Sequence, residues 1–348
     1  MNHVVIMAGG VGSRFWPMST AERPKQFIDV LGCGKTLLQL TADRFNGIVP
    51  DTNIWVVTNA NYASIVKEQL PMIPEGNILL EPCRRNTAPC IAYVSWKIKK
   101  QDKDANIVVT PSDHIVLNVV EFQRIINESL KFTHESDAIV TLGITPNRPE
   151  TGYGYIEADL QVSTSRYKEL FRVDSFHEKP DLDTAKVYLS QKNYFWNAGI
   201  FVWNVETIIN AFRVYQPTMA RAFEELMPSL CTEHEQEEVN RIFPDCENTS
   251  IDYAIMEKAD EIYVHPANCG WSDLGTWGSL LQESKKDLYG NAAIGKEIKL
   301  YDCHNCVVHT TEEKEVVVQG LDGYIVAEKE NTLLICKLSE EQRIKEMH

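Results

Sequence analysis

Apolar and polar positions alternate in blocks over roughly the first 145 residues. The run Val4-Val5-Ile6-Met7 has the texture of a parallel strand buried on both faces. Comparable runs recur at 53–58, 77–81, 106–110 and 138–142, and stretches of helical length fall between them at 36–45, 61–70, 87–100 and 119–133. This alternation predicts an α/β fold with a largely parallel sheet covered by helices on both faces. Ligands of such sheets gather beyond the carboxyl ends of the strands.

After about residue 145 the texture changes. Segments 151–156 and 170–176 read as strands of a more antiparallel region, followed by a helix at 182–190. The run 193–203 is too aromatic for a surface loop and predicts a pocket wall with an adjoining strand. Mostly helical sequence continues to about 245, then the segment 250–258 and a Gly/Trp-rich loop at 270–277. Beyond 285, short Val/Ile-rich pieces at 306–308, 316–318, 324–327 and 333–336 predict stacked short strands, β-helix-like in character. The expected division is therefore 1–285 for a main domain and 286–348 for a small β-rich one. Unpaired strand edges make the latter a dimerisation module in this reading.

Composition narrows the partners. A chain of 348 residues with 44% hydrophobic and 24% charged residues is ordinary globular material, long enough for a large domain and a smaller one. With 34 basic against 49 acidic residues the net charge is -15, so the average surface repels nucleic acid. An anionic ligand then needs a local basic island, and residues 14–25 carry Arg14, Arg23 and Lys25 against Glu22 alone. Nine cysteines without repeated spacing, and no leader-like start, predict reduced thiols in the cytoplasm. No apolar run approaches the ~20 residues that span a bilayer, so no membrane association is expected. Cys303-His304-x-Cys306-x-x-His309 has ligand types close together, but strand alternation would send them to both faces, which weighs against zinc.

The chemistry concentrates after the first strand, in Ala8-Gly9-Gly10-Val11-Gly12-Ser13-Arg14, continuing to Pro24-Lys25-Gln26-Phe27. Glycines let backbone N–H groups turn inward as a phosphate cradle, and Arg14 and Lys25 add fixed positive charge. The spacing is not a dinucleotide fingerprint, because Phe15 stands where its third glycine would fall. Gly32-Cys33-Gly34-Lys35-Thr36 is not a Walker loop either, since its leading position is Asp29. A turn opening a helix is expected there. A triphosphate in the cradle needs a divalent cation, and Mg²⁺ takes one or two carboxylates besides phosphate oxygens and water. Asp113, at a strand end, and Asp273, in the Gly/Trp loop, suit that role, although each alone reads more readily as a turn or helix cap. Glu178 and Asn197 have the groups that sugar hydroxyls require, and Lys179 suits a phosphate; a solvated turn and a packed core strand are the plain alternatives.

Eight motifs in order then resemble one family. Gly9-Gly10-x-Gly12-x-Arg14-x-Trp16-Pro17, Pro24-Lys25-Gln26-Phe27, Glu81-Pro82-x-x-Arg85-Asn86-Thr87-Ala88-Pro89, Asp113-His114, Thr151-Gly152-Tyr153-Gly154-Tyr155-Ile156, Phe176-x-Glu178-Lys179-Pro180, Trp196-Asn197-x-Gly199 and Gly270-Trp271-Ser272-Asp273-Leu274-Gly275 look like those of the mannose-1-phosphate guanylyltransferases. The resemblance implies a Rossmann-like, GT-A-like nucleotidyltransferase domain with a mixed, mostly parallel sheet. It implies GMP transfer from GTP to mannose 1-phosphate, with release of pyrophosphate. It further implies that Ala8, Gly9, Gly10, Gly12, Ser13 and Arg14 hold the nucleotide with Glu81, Asn86, Thr87 and Pro111, the Glu81 segment lying by the guanine. Lys25 would face the reacting phosphates, Asp113 and Asp273 the magnesium, Lys179 the sugar phosphate, and Tyr153, Gly154, Glu178 and Asn197 the mannose. Arg84 and Ser112 depart from the usual glycine and alanine, which bears on the choice of base. Many relatives carry a further isomerase half of the cupin type, for which 348 residues leave no room, so a monofunctional enzyme is expected, and the β-rich tail adds the expectation of a homodimer. The rivals are a transferase for another sugar 1-phosphate, such as a heptose or glucose, and a silent GDP-mannose sensor. Intact cradle and carboxylates favour an enzyme over the sensor.

Overall fold

The structure is a computed structural model that describes residues 1–10, 12–164, 166–310 and 313–347, with the backbone alone for Ser13. The chain forms two compact units, one made of Met1–Gly9, Ala42–Pro111 and Val116–Trp271, the other of Gly10–Thr41, Ser112–Ile115 and Ser272–His348. The boundary expected at 285 falls inside the second unit, which groups the β-rich end of the chain with the glycine loop.

In chain order the strands up to residue 272 are β1 (Asn2–Met7), β2 (Ile54–Asn59), β3 (Ile78–Glu81), β4 (Asn106–Pro111), the two-residue β5 (Ile115–Val116), β6 (Ile139–Ile144), β7 (Tyr155–Ser163), β8 (Phe171–His177), β9 (Tyr194–Asn204), β10 (Ile262–Pro266) and the two-residue β11 (Trp271–Ser272). Among the described residues the first unit holds a nine-stranded mixed sheet in the order β3-β2-β1-β4-β9-β6-β10-β8-β7. The first four strands pair in parallel, as the block pattern of the first 110 residues predicts. β9 then runs antiparallel to both β4 and β6, and β7 and β8 are antiparallel neighbours. The aromatic run of β9 is thus a central strand, and its Phe201 and Trp203 are buried in the main core with Trp55, Trp96 and Phe212.

Helices begin where short polar side chains can satisfy the first free N–H groups. Asn118 accepts from Glu121 N at 3.1 Å ahead of helix Val119–His134, and Asp181 accepts from Thr184 N at 2.8 Å ahead of Leu182–Ser190. Thr36 and Gln39 cap reciprocally, Thr36 Oγ1 accepting from Gln39 N at 3.3 Å and Gln39 Oε1 from Thr36 N at 3.0 Å. Gly34-Lys35-Thr36 therefore opens helix Leu37–Asp43, as expected. One element differs from its sequence reading: residues 151–154 form a turn and β7 starts only at Tyr155. Glu150 Oε1 accepts from Gly152 N at 3.0 Å and holds that turn closed. No helix among the described residues is long and apolar enough to cross a membrane.

In the second unit, β12 (Ala292–Ile294), β13 (Glu297–Tyr301), β14 (Val307–Thr310), β15 (Glu315–Gln319), β16 (Tyr324–Lys329) and β17 (Thr332–Lys337) stack as the sequence predicts. β12, β14 and β16 are parallel and β17 closes that sheet antiparallel, while β13 and β15 form a separate parallel pair. The Cys/His cluster does not converge. Cys303 Sγ donates to Tyr301 O at 3.3 Å, Cys306 Sγ to His304 O at 3.1 Å, and His309 Nε2 lies 3.2 Å from Val30 O. Burial lowers the His309 imidazole to about 4, so it is a neutral core residue at physiological pH.

Candidate active site

The second unit contains a cavity of about 350 Å³ lined by Gly12, Arg14, Phe15, Lys25, Asp113, His114, Asp273, Gly275 and Lys345. At its floor is Lys25, buried in a short 3₁₀ turn, Lys25–Phe27. Its Nζ donates to Asp273 O at 2.8 Å and Leu274 O at 3.1 Å, and pairs with Asp113 Oδ2 at 3.0 Å. One ammonium thus ties together two chain segments 160 residues apart in sequence, those of Asp113 and Asp273. Burial alone would raise the Asp113 carboxyl, but the Lys25 charge and then His114 outweigh it and hold the group below the usual carboxylate range. Asp113 is accordingly ionised at neutral pH, with a side chain 32% exposed to the cavity.

Gly12 explains why the loop is built of glycine. Its φ is +62°, and a Cβ there would lie 2.5 Å from Lys25 Cβ. Gln26 Nε2 donates to Gly10 O at 2.9 Å and ties the loop to the lysine turn. Arg14 is exposed at the cavity. Five of the sequence candidates, Gly12, Arg14, Lys25, Asp113 and Asp273, are therefore brought together. Val11 and the side chain of Ser13 lie outside the described residues.

Of the other nucleotide candidates, Gly10 and Ser13 belong to the second unit, and Ala8, Gly9, Glu81, Asn86, Thr87 and Pro111 to the first. Ala8 N donates to Val57 O at 2.8 Å and Ala8 O accepts from Thr58 Oγ1 at 2.9 Å, which fixes the exit of β1. Glu81, at the end of β3, is buried, and a Cβ on Gly9 would meet its Oε2 at 3.6 Å. Burial pushes its carboxyl up to about 7, opposed by a hydrogen bond from the Cys90 thiol. Asn86, at φ +66°, accepts from Thr87 N at 2.9 Å and opens helix Thr87–Gln101. Thr87 Oγ1 accepts from Ile251 N at 2.8 Å, bringing residue 251 to that helix start. Pro111 is the last residue of β4, and Gly199 lies against it. Arg84 is exposed and donates to the Tyr62 hydroxyl at 3.4 Å.

A second constellation in the same unit joins the sugar candidates. Asn197 Nδ2 donates to Asp252 Oδ1 at 3.0 Å, while Asn197 Oδ1 accepts from Thr141 Oγ1 and Gly199 N, each at 3.1 Å. Asn197 N donates to Gly154 O at 2.8 Å. A Cβ on Gly154 would stand 2.6 Å from Glu178 Oε2, so any larger residue just ahead of β7 displaces that carboxylate. Lys179, at φ +48°, pairs with Glu178, and that partner raises its ammonium despite the opposing effect of burial. Asp252 is pushed up to about 6 by burial and then by the Glu178 charge. Tyr153 packs edge-on against Trp196 and Trp271, with centroids 5.2 Å and 5.6 Å away. Asp252 and Thr141 escape sequence reasoning, because an Asp opening a helical segment reads as a cap. The one structural signal is that Asp252 sits on a π-helical turn, Asp252–Met256, a feature frequent at functional sites.

Two acidic groupings compete as cation sites. Glu128, Glu169 and His265 bring ligand atoms within 4.8 Å of one another. Arg124, however, donates to both glutamates at 2.9 Å and 2.8 Å, so a cation already stands there. Asp113 and Asp273 instead line one open cavity of the second unit, and carboxylates are the donors Mg²⁺ uses beside phosphates. The residues present fit a nucleotide-bound magnesium.

The sequence profile of the family described as Nucleotidyl transferase matches residues 3–290. The chain belongs to the nucleotidyltransferase family. This nucleotidyltransferase is 36% identical over 348 residues to a mannose-1-phosphate guanylyltransferase of Salmonella montevideo, covering 99% of this chain and 72% of the relative. It is 34% identical over 346 residues to the xanthan biosynthesis protein XanB of Xanthomonas campestris, covering 99% of this chain and 72% of the relative. Among solved structures, one from Thermus thermophilus described as a mannose-1-phosphate geranyltransferase superposes with a TM-score of 0.89 at 28% identity, covering 99% of this chain and 98% of that one.

Proposed function

We propose that this nucleotidyltransferase transfers GMP from GTP to α-D-mannose 1-phosphate, giving GDP-mannose and pyrophosphate. The observation that carries the reading is a cavity gathering Arg14, Asp113 and Asp273, in a chain more than 30% identical to named mannose-1-phosphate guanylyltransferases over nearly its whole length. The second unit takes the triphosphate in this assignment, with Gly10, Gly12 and Arg14 at its oxygens and Asp113 and Asp273 as the carboxylates for Mg²⁺. The metal, when bound, supplies charge neutralisation on the phosphates. Lys25 holds both aspartates in place from beneath.

The first unit takes the base near Glu81, Asn86 and Thr87, and the hexose at Tyr153, Gly154, Glu178, Asn197 and Asp252. Lys179 is the cation for the sugar phosphate. A sugar phosphate has its second pKa near ~6, so its oxygen is ionised at neutral pH and no general base is required. That oxygen attacks the α-phosphorus in line, the bond from the α-phosphorus to the bridging oxygen breaks, and pyrophosphate leaves with the electron pair. Catalysis then consists of alignment and charge stabilisation. Residues 286–348 also make the contact to a second copy in this reading, and the work is done in the cytoplasm. Pyrophosphate release measured across GTP, ATP, UTP and dTTP against mannose, glucose and heptose 1-phosphates tests it. The highest kcat/KM is expected for GTP with mannose 1-phosphate; a clear preference for another pair overturns the substrate assignment.

A further inference from the structure

A triphosphate tail needs cations with hydrogens to give, and the buried lysine of the cradle has none left. Lys25 spends its three hydrogens on Asp113 Oδ2, Asp273 O and Leu274 O. Of the residues lining the cavity, Arg14 and Lys345 are the exposed basic ones. Lys345 comes from the 3₁₀ segment Leu338–Glu346, over 300 residues from the glycine loop in sequence, and nothing in its local sequence marks it.

That segment is pinned at two points just ahead of the lysine. Ile344 is fully buried in the core cluster that contains Phe15 and Trp277. Glu341 accepts from Gly278 N at 2.7 Å, one turn into the segment. The backbone at 345 is thus fixed beside the cavity while the four-carbon stem leaves the ammonium free to reach into it.

We propose that Lys345 is a phosphate-contacting residue of this enzyme, donating to a non-bridging β- or γ-oxygen of the bound triphosphate and to the same oxygens of the pyrophosphate product. The proposal rests on the cavity being the triphosphate site, but not on which base or sugar is used. Its contact is made by the part of the nucleotide that leaves, so Lys345 acts on triphosphate and pyrophosphate and not on the sugar phosphate.

The test compares wild type with Lys345→Gln and Lys345→Arg, using whichever triphosphate and sugar phosphate the wild type turns over best. KM is measured for the triphosphate in the forward direction and for pyrophosphate in reverse. Lys345→Gln is expected to raise both by about tenfold, a charge-assisted hydrogen bond's worth. The KM for the sugar phosphate and the melting temperature stay at wild-type values, and Lys345→Arg recovers most of the loss. Wild-type KM values for triphosphate and pyrophosphate in Lys345→Gln overturn the proposal, as does an equal rise in the sugar-phosphate KM. A wild type that turns over only a pair other than GTP and mannose 1-phosphate sinks the substrate assignment and leaves this comparison intact.

Discussion

Glu81 shows how far a single buried carboxyl can act. Its folded pKa of about 7 lies above the unfolded 4.5, so the folded state binds its proton more tightly. The resulting stabilisation is fully present below about pH 4.5 and is lost as pH rises through about 7. Glu81→Gln removes that dependence. Relative to wild type it should be more stable at pH 8 than at pH 5 by roughly 2–3 kcal/mol, read from urea melts at the two pH values. An unchanged difference between the two melts would mean Glu81 is ionised at little cost. At this scale the sequence was half legible. Gly12, Arg14, Lys25, Asp113 and Asp273 were visible because their residue types are unusual together, and the cavity contains all five. Lys25 was expected to face phosphates, whereas its hydrogens go to protein oxygens. Lys345 and Asp252 carried no signal, since a lysine in a charged segment and an aspartate opening a helix are the commonest solvent-facing patterns.

Among elements, two glycines make contrasting demands. Gly12 combines φ +62° with a Cβ position 2.5 Å from Lys25 Cβ, close to the main chain of a buried turn that cannot retreat. Gly12→Ala should cost about 1–3 kcal/mol of stability and raise the triphosphate KM. Gly154 faces the end of the Glu178 side chain, which can swing away. Gly154→Ala should leave the melting temperature nearly unchanged and raise the KM of the sugar phosphate alone. Thermal melts and two KM values per variant decide it; the same pattern in both variants would contradict the assignment of the two constellations. Helices and buried strands were legible to within a residue or two where a cap and an apolar run coincide, as at Leu182–Ser190 after Asp181. Segment 151–156 was misread as strand because its tyrosines have strand character, while Gly152 and the Glu150 contact make its first half a turn.

At the scale of the whole molecule, the alternating blocks foretold the parallel half of the sheet, but not the insertion of β9 between β4 and β6, because pairing between distant segments leaves no local mark. Nor did the composition shift at 285 reveal that the β-rich end clusters with residues 10–41. Strand β17 lies at an edge of its sheet and turns Leu333 and Ile335 outward, each more than half exposed. A second copy of the chain is the occupant that the proposed dimer puts there. Sedimentation should then give twice 39.6 kDa, and Ile335→Lys should return the monomer mass. A monomeric wild type would refute the dimer.

The central claim is that Asp113 and Asp273 jointly hold a cation on the nucleotide in the second unit's cavity. Titrating Mn²⁺ by electron paramagnetic resonance, with a non-hydrolysable GTP analogue present, tests it in wild type, Asp113→Asn and Asp273→Asn. The account predicts one tight nucleotide-dependent ion in the wild type and affinity weakened about tenfold or more in each variant. Wild-type affinity in both variants would contradict it.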